Sequence, residues 1–118
     1  MNHKKIDERT FDFALQTIEL YKFLNTKNEY ILSKQLLRSA TSIGANVEEA
    51  QAAQSRKDFI SKMSISSKEA RESKYWLRLL DKSNYLYGFT QKEYLMNEVD
   101  SIINIITKIV KSTKENGI

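Results

Sequence analysis

Residues Leu36 to Leu80 read LLRSATSIGANVEEAQAAQSRKDFISKMSISSKEARESKYWLRLL, and this stretch decides the fold. Its first part repeats apolar residues at three and four: Leu36, Ile43, Val47 and Ala50, with Ser39 and Ala40 filling the step between. That is the period of a helix with one buried face. The face is slim, because Ser39, Ala40, Ser42, Gly44, Ala45, Ala50, Ala52 and Ala53 crowd this half of the helix. A glycine inside a helix costs about 1 kcal/mol relative to alanine, so Gly44 predicts a compensating close approach of a neighbouring backbone. Gln54-Ser55 interrupts the pattern, with Ser55 placed as an N-cap and Asp58 at the capping-box position. Beyond it, Phe59, Met63, Ser66, Ala70, Ser73, Leu77 and Leu80 form a seam at alternating steps of four and three. The middle of that seam is also small, which predicts that the two helices cross tightly.

The flanking segments supply two more helices. Before the slim pair, Phe11, Ala14, Leu15, Ile18 and Tyr21 give one apolar face. Phe13, Leu20 and Leu24 give a second stripe roughly opposite, more than a single buried face needs. Asp7 and Glu8 suit the positive end of this helix, and Asn25 to Asn28 read as a polar turn. After the pair, Gly88 in NYLYGF is placed at positive φ, the tyrosines and Phe89 cap the core, and Thr90 with Glu93 forms a capping box. In the last helix Leu95, Val99, Ile102, Ile103, Ile106, Ile109 and Val110, with Met96 and Ile105 at the edges, cover about half the circumference. Lys108, Lys111 and Lys114 suit its negative C-terminal end, and the final ENGI is expected to fray. Helices at about 6–24, 29–53, 56–82 and 90–114, with no proline in 118 residues, predict one all-α domain over 1–118. The short connections make it an antiparallel up-down-up-down four-helix bundle. The second stripe of the first helix and the broad face of the last predict that subunits self-associate.

Composition excludes several function classes. Without cysteine there is no disulfide, thiol nucleophile or thiolate ligand. The only histidine is His3, outside the expected core, so neither a Glu-x-x-His di-metal site nor a Ser-His-Asp triad has its ligands or its base. No glycine-rich phosphate loop occurs, and no cofactor is expected. The start MNHKKIDERTF lacks the apolar core of a secretory signal, and no apolar run nears the roughly 18 residues of a membrane span. The expected compartment is the cytoplasm, with no membrane partner.

The charge placement is more informative than the net +4. Between 54 and 83, Arg56, Lys57, Lys62, Lys68, Arg71, Lys74, Arg78 and Lys82 face only Asp58, Glu69, Glu72 and Asp81, while the rest of the chain balances. Lys57, Lys68, Arg71, Lys74, Arg78 and Lys82 fall on one arc of about 120° beside the seam, with Asp58, Glu69 and Glu72 on the other flank. Together with Arg56, these residues are the candidate nucleic-acid site, since such an arc can neutralise phosphates. A solvated face balanced by acidic neighbours is the plainer alternative, favoured by the absence of an exposed aromatic platform. Arg38, Asn46, Glu49, Arg71 and Glu72 lie within or beside the tight stretches. A catalytic reading pairs Glu49 with Glu72 as acid and base; an interhelical polar network that fixes register is the better account. Phe11, Phe13, Tyr75 and Trp76 are expected in the core or an interface rather than at a base-stacking site.

The central stretch also resembles a known family. The resembling residues are Gln35 to Ala40, Ser42 to Ala50 (SIGANVEEA), Gln54 to Ile60, Lys68 to Glu72, and Tyr75-Trp76-Leu77. They are similar to the four-helix bundle proteins encoded in intervening sequences of bacterial 23S rRNA genes. Many members carry glycine where this chain has Ala50. The resemblance implies a four-helix bundle and assembly into a ring-like homopentamer, as in relatives including the accessory protein of diversity-generating retroelements. It also implies a role with nucleic acid, since that relative is a basic ring that binds nucleic acid and a reverse transcriptase. Its "ribosomal protein" label follows gene location and implies no place in the ribosome. The expectation is a non-enzymatic homo-oligomer presenting basic faces to RNA, DNA or a protein. The alternative is a protein–protein interaction module with no nucleic-acid role.

Overall fold

The computed structural model describes residues 4–116, so the readings made on His3 and on Gly117-Ile118 lie outside the described residues. Four helices follow one another: α1 (Ile6–Thr26), α2 (Leu32–Gln51), α3 (Arg56–Lys82) and α4 (Lys92–Glu115). No strand occurs among the described residues. Each helix packs on two others, in the cyclic order α1, α2, α3, α4 and back to α1. Partners run antiparallel throughout. Going up α2 through Arg38, Ile43 and Glu49 means going down α3 through Glu72, Ser66 and Lys62. Likewise Lys74 and Asp81 of α3 meet Asp100 and Lys92 of α4. The α1–α4 pair closes with Phe23 against Phe89 at one level and Arg9 against Glu98 at another. No helix among the described residues is long and apolar enough to cross a membrane.

The helix ends are set by side chains and backbone bonds that differ in part from expectation. α2 begins at Leu32, three residues late, because the Glu29 carboxylate folds over its start. It accepts hydrogen bonds from the amides of Ile31, Leu32 and Ser33 at 3.2, 3.0 and 2.6 Å. A carboxylate on the positive end of a helix replaces an N-cap hydroxyl, worth about 1 kcal/mol. Ser55 caps α3 as expected, accepting from the Asp58 amide at 3.0 Å. Thr90 does not cap α4, which starts at Lys92 after Gln91 with no side-chain cap. α1 and α3 both end on an asparagine in the left-handed region, Asn28 at φ 64° and Asn84 at φ 68°. In each case the next amide reaches back to a helix carbonyl, Glu29 to Leu24 at 3.0 Å and Tyr85 to Leu80 at 2.9 Å. That is the Schellman pattern, with asparagine in the place of glycine. Gly88 takes φ 87°, as the loop reading required. In that loop Leu86 is buried and Tyr85 and Phe89 pack on the core, whereas Tyr87 stands out in solvent.

The core corrects the reading of the first helix. Thr10, Phe13, Thr17, Leu20 and Leu24 are buried, while Phe11 and Leu15 are 61% and 47% exposed. The two stripes have exchanged roles, and the threonines explain why. Thr10 and Thr17 donate their hydroxyls to their own helix, to Ile6 O and Phe13 O at 2.9 Å each. With the hydroxyl satisfied, a buried threonine presents a methyl and packs like valine. Counting them as polar hid a regular 3–4 seam. The broad face of α4, by contrast, is consumed inside the bundle: Leu95, Val99, Ile102, Ile103 and Ile106 are buried, and Ile109 and Val110 pack against the core. Of the two apolar faces that predicted association, the one left exposed is therefore that of α1.

The slim residues bring α2 and α3 together. Ser66 of α3 donates to the Ile43 carbonyl of α2 at 2.8 Å, and the Ser39 and Ser73 hydroxyls meet at 2.8 Å. Gly44 faces a different neighbour, α1. A Cβ built there would stand 3.4 Å from Thr10 Oγ1 and 3.5 Å from its carbonyl carbon, which is ordinary van der Waals contact. Gly44→Ala should therefore recover helix propensity without a clash and stabilise the fold by up to about 1 kcal/mol. Gly44→Val should instead force branched methyls onto Thr10 and destabilise by about 1–3 kcal/mol. Urea unfolding midpoints at unchanged m-value measure both.

Candidate nucleic-acid interface

α3 is sorted by its own geometry into three longitudinal surfaces. With Met63, Ser66, Ala70, Ser73, Leu77 and Leu80 buried, one flank leans on α2 and the other on α4. The α2 flank is acidic. Arg38 of α2 spreads its guanidinium over Glu72 and, at 3.8 Å, over Glu69. Glu72 also accepts from the Trp76 indole N–H at 3.0 Å. The α4 flank and the solvent side are basic. Lys74 is spent on Asp100 of α4 at 2.8 Å. Arg56, Lys57, Lys68, Arg71, Arg78 and Lys82 are exposed, and none is paired with a carboxylate among the described residues.

The structure adds cations whose sequence positions suggested only a helix end. In the shallow groove between α3 and α4, Arg71 is joined by Lys111 and Lys114 of α4, with the hydroxyl-bearing Ser64, Ser67 and Thr107 between them. Antiparallel pairing lays the C-terminal turns of α4 along the first half of α3. The spacing Thr107, Lys111, Lys114 on one helix flank was the available signal.

The remaining polar candidates do not form one network. Glu49 pairs with Lys62 at 3.0 Å, and its hydrogen bond and charge push the Lys62 ammonium above its ordinary pKa. Asn46 donates to the Ser42 carbonyl of its own helix at 2.8 Å. Of the four candidates only Arg38 and Glu72 bond each other, about 16 Å along α2 from Glu49 at 1.5 Å per residue. Glu49 and Glu72 thus cannot serve as acid and base of one site. Among the described residues no three potential metal ligands converge. Of the aromatic candidates Phe13 is core and Trp76 half-buried, but Phe11 and Tyr75 are exposed. Tyr75 is thus an exposed aromatic where none was expected, and it stands on the basic face.

The 23S rRNA-intervening sequence protein family matches residues 3–108. Among solved structures, the chain is similar to a protein of unknown function from the S23 ribosomal protein family of Bacteroides thetaiotaomicron. The two are 44% identical over 91% of this chain and 99% of that one, with a TM-score of 0.85. No curated protein matches this chain.

Between α1 and α4 a polar clasp closes the bundle. Arg9 forks onto Glu98 through Nε at 2.8 Å and Nη2 at 2.7 Å. Beside it the Tyr94 phenol is pushed up to about 12, by burial first and then by Glu98 and Asp12, with Arg9 pulling the other way. A phenol raised in the folded state contributes stability that is whole below the unfolded value of about 10 and is lost as pH climbs through its folded value. Chemical stability should therefore fall between pH 10 and pH 12. Denaturation curves for Tyr94→Phe should show a shallower fall over the same interval.

Proposed function

This chain belongs to the 23S rRNA-intervening sequence protein family, and we propose that it is a non-enzymatic scaffold that self-associates and presents basic faces to RNA or DNA in the bacterial cytoplasm. One observation carries the nucleic-acid half: the exposed, unpaired cations of α3 continue onto α4 through Lys111 and Lys114. Each such side chain can displace a counterion from a phosphate. A ring would repeat the face in every subunit and raise its avidity without new contacts.

The self-association half rests on α1. Phe11 and Leu15 stand exposed one turn apart on a helix whose core face is already filled. Asp7, Glu8, Asp12 and Glu48 rim Phe11 together with Lys4, which pairs with Asp12 at 2.7 Å and leaves the rim net acidic. A two-fold contact of this stripe with itself would bring two acidic rims together. Like charges so placed repel, which favours a head-to-tail contact with a different surface of the neighbour. Head-to-tail contacts form a ring where the rotation between subunits closes, as in the pentamer that the family resemblance implies.

The second reading is a protein–protein module whose charges serve only solubility. The pairing of Lys62 with Glu49 and Lys74 with Asp100 favours it, since part of the basic excess is already neutralised.

Light scattering should give the mass of a pentamer at both low and high salt; a 13.8 kDa monomer would remove the basis for avidity. Nucleic-acid affinity should fall steeply with salt, and the double variant Arg71→Glu/Arg78→Glu should lower the log–log slope by about 0.7–0.9 for each phosphate no longer neutralised. Lys74 is left alone in that variant because its ion pair ties α3 to α4. Binding that survives the double reversal with an unchanged salt slope would place the interface elsewhere.

A further inference from the structure

Tyr75 is 52% exposed, in the middle of the basic face of α3. Lys68 and Arg71 precede it by seven and four residues, and Arg78 and Lys82 follow by three and seven. At 100° per residue all four lie within about 60° of it around the helix. Of the acidic residues of α3, Glu72 stands at the edge of this arc, about 60° away on the α2 side where Arg38 holds it; Asp58 and Glu69 lie further round, and Asp81 is paired with Lys92. The ring is also braced. Its centroid lies 5.1 Å from that of Trp76, in an edge-on arrangement at 68°. Trp76 is itself tied by its indole N–H to Glu72, which Arg38 holds from α2. A chain of contacts beginning on another helix thus sets the orientation of an exposed π-surface beside a run of cations.

That combination has a specific chemical complement. An unpaired nucleobase offers a flat π-face, and the phosphates on either side of it offer anions. A duplex offers only the phosphates, since its base faces are stacked on each other. Resting on the nucleic-acid reading above, we propose that Tyr75 is a stacking platform for an unpaired base, and that the α3 face binds single strands in preference to duplexes. From Lys68 to Lys82 the face spans about 21 Å along the helix axis, room for about four to six nucleotides. Phosphates lie along Lys68, Arg71, Arg78 and Lys82 while one base rests on the tyrosine.

The test titrates the full-length protein with a labelled oligonucleotide without self-complementarity, as RNA and as DNA, and with the duplex of the same sequence. Wild type should bind at least one single strand more tightly than the duplex. Tyr75→Ala should lose single-strand affinity by about five-fold to 150-fold, the range for one stacked base, with duplex affinity unchanged. Tyr75→Phe, which keeps the ring, should bind as wild type does. Trp76, the chain's one tryptophan, gives an independent readout. Its emission should change on single-strand binding in wild type and in Tyr75→Phe but not in Tyr75→Ala. If wild type binds and Tyr75→Ala binds every strand equally well, stacking is overturned while the nucleic-acid reading stands. If wild type binds no strand, both are overturned and the face is left to a protein partner.

Discussion

The close approach of α2 and α3 is the constraint on which the rest depends. It is made by small residues and held by hydroxyls: Ser66 on the Ile43 carbonyl, and Ser39 on Ser73. A serine hydroxyl left unbonded in a core costs about 1–3 kcal/mol, so a slide of one helix along the other would strand these groups. Register is therefore fixed by polar atoms inside an apolar seam. From that register follow the surface contacts: Arg38 meets Glu72, Glu72 holds Trp76, and Trp76 braces Tyr75. A basic face that would otherwise be a set of mobile side chains acquires one oriented ring.

The family and the bundle were legible because the SIGANVEEA run and the seam of α3 are patterns of residue type at fixed spacing. The failures occurred where chemistry depends on a partner atom. Thr10 and Thr17 count as polar until their hydroxyls are seen to bond their own helix. Glu29 looks like a first helical residue until its carboxylate is seen to accept three amides ahead of it. Thr90 has the right type for a cap, yet the last helix starts two residues later. Lys111 and Lys114 looked like ordinary helix-end cations, and only the antiparallel pairing of α4 with α3 sets them beside Arg71.

Legibility of the candidate site was uneven for a related reason. The imbalance between residues 54 and 83 is visible in the sequence, and helical periodicity sorts it into flanks. Which of those charges remain available is a property of neighbouring helices. Lys74 and Lys62 are taken by Asp100 and Glu49, and Arg71 and Arg78 are not. Three of the four acidic residues of α3 are similarly committed, two to Arg38 and one to Lys92, while Asp58 sits in the first turn. A modest net charge thus conceals a predominantly basic surface, because most of its counter-charges point into interhelical contacts.

The cyclic packing order also has a kinetic meaning. Three of the four interfaces join helices consecutive in the chain through short connections, and only α1 against α4 joins distant segments. Chains dominated by such local contacts fold on the order of microseconds to milliseconds, because little loop entropy is lost before contacts form. Each helical hairpin can zip from its turn, with Asn28 and Asn84 halting α1 and α3 at the same end of the bundle. Docking of α1 on α4, by Arg9 on Glu98 and Phe23 on Phe89, is the one closure that must bring distant segments together, and it carries the largest loop-entropy cost. Its reopening would expose the core face of α1, the helix that already holds Phe11 and Leu15 in solvent, so one local opening would bare both apolar stripes of a single helix.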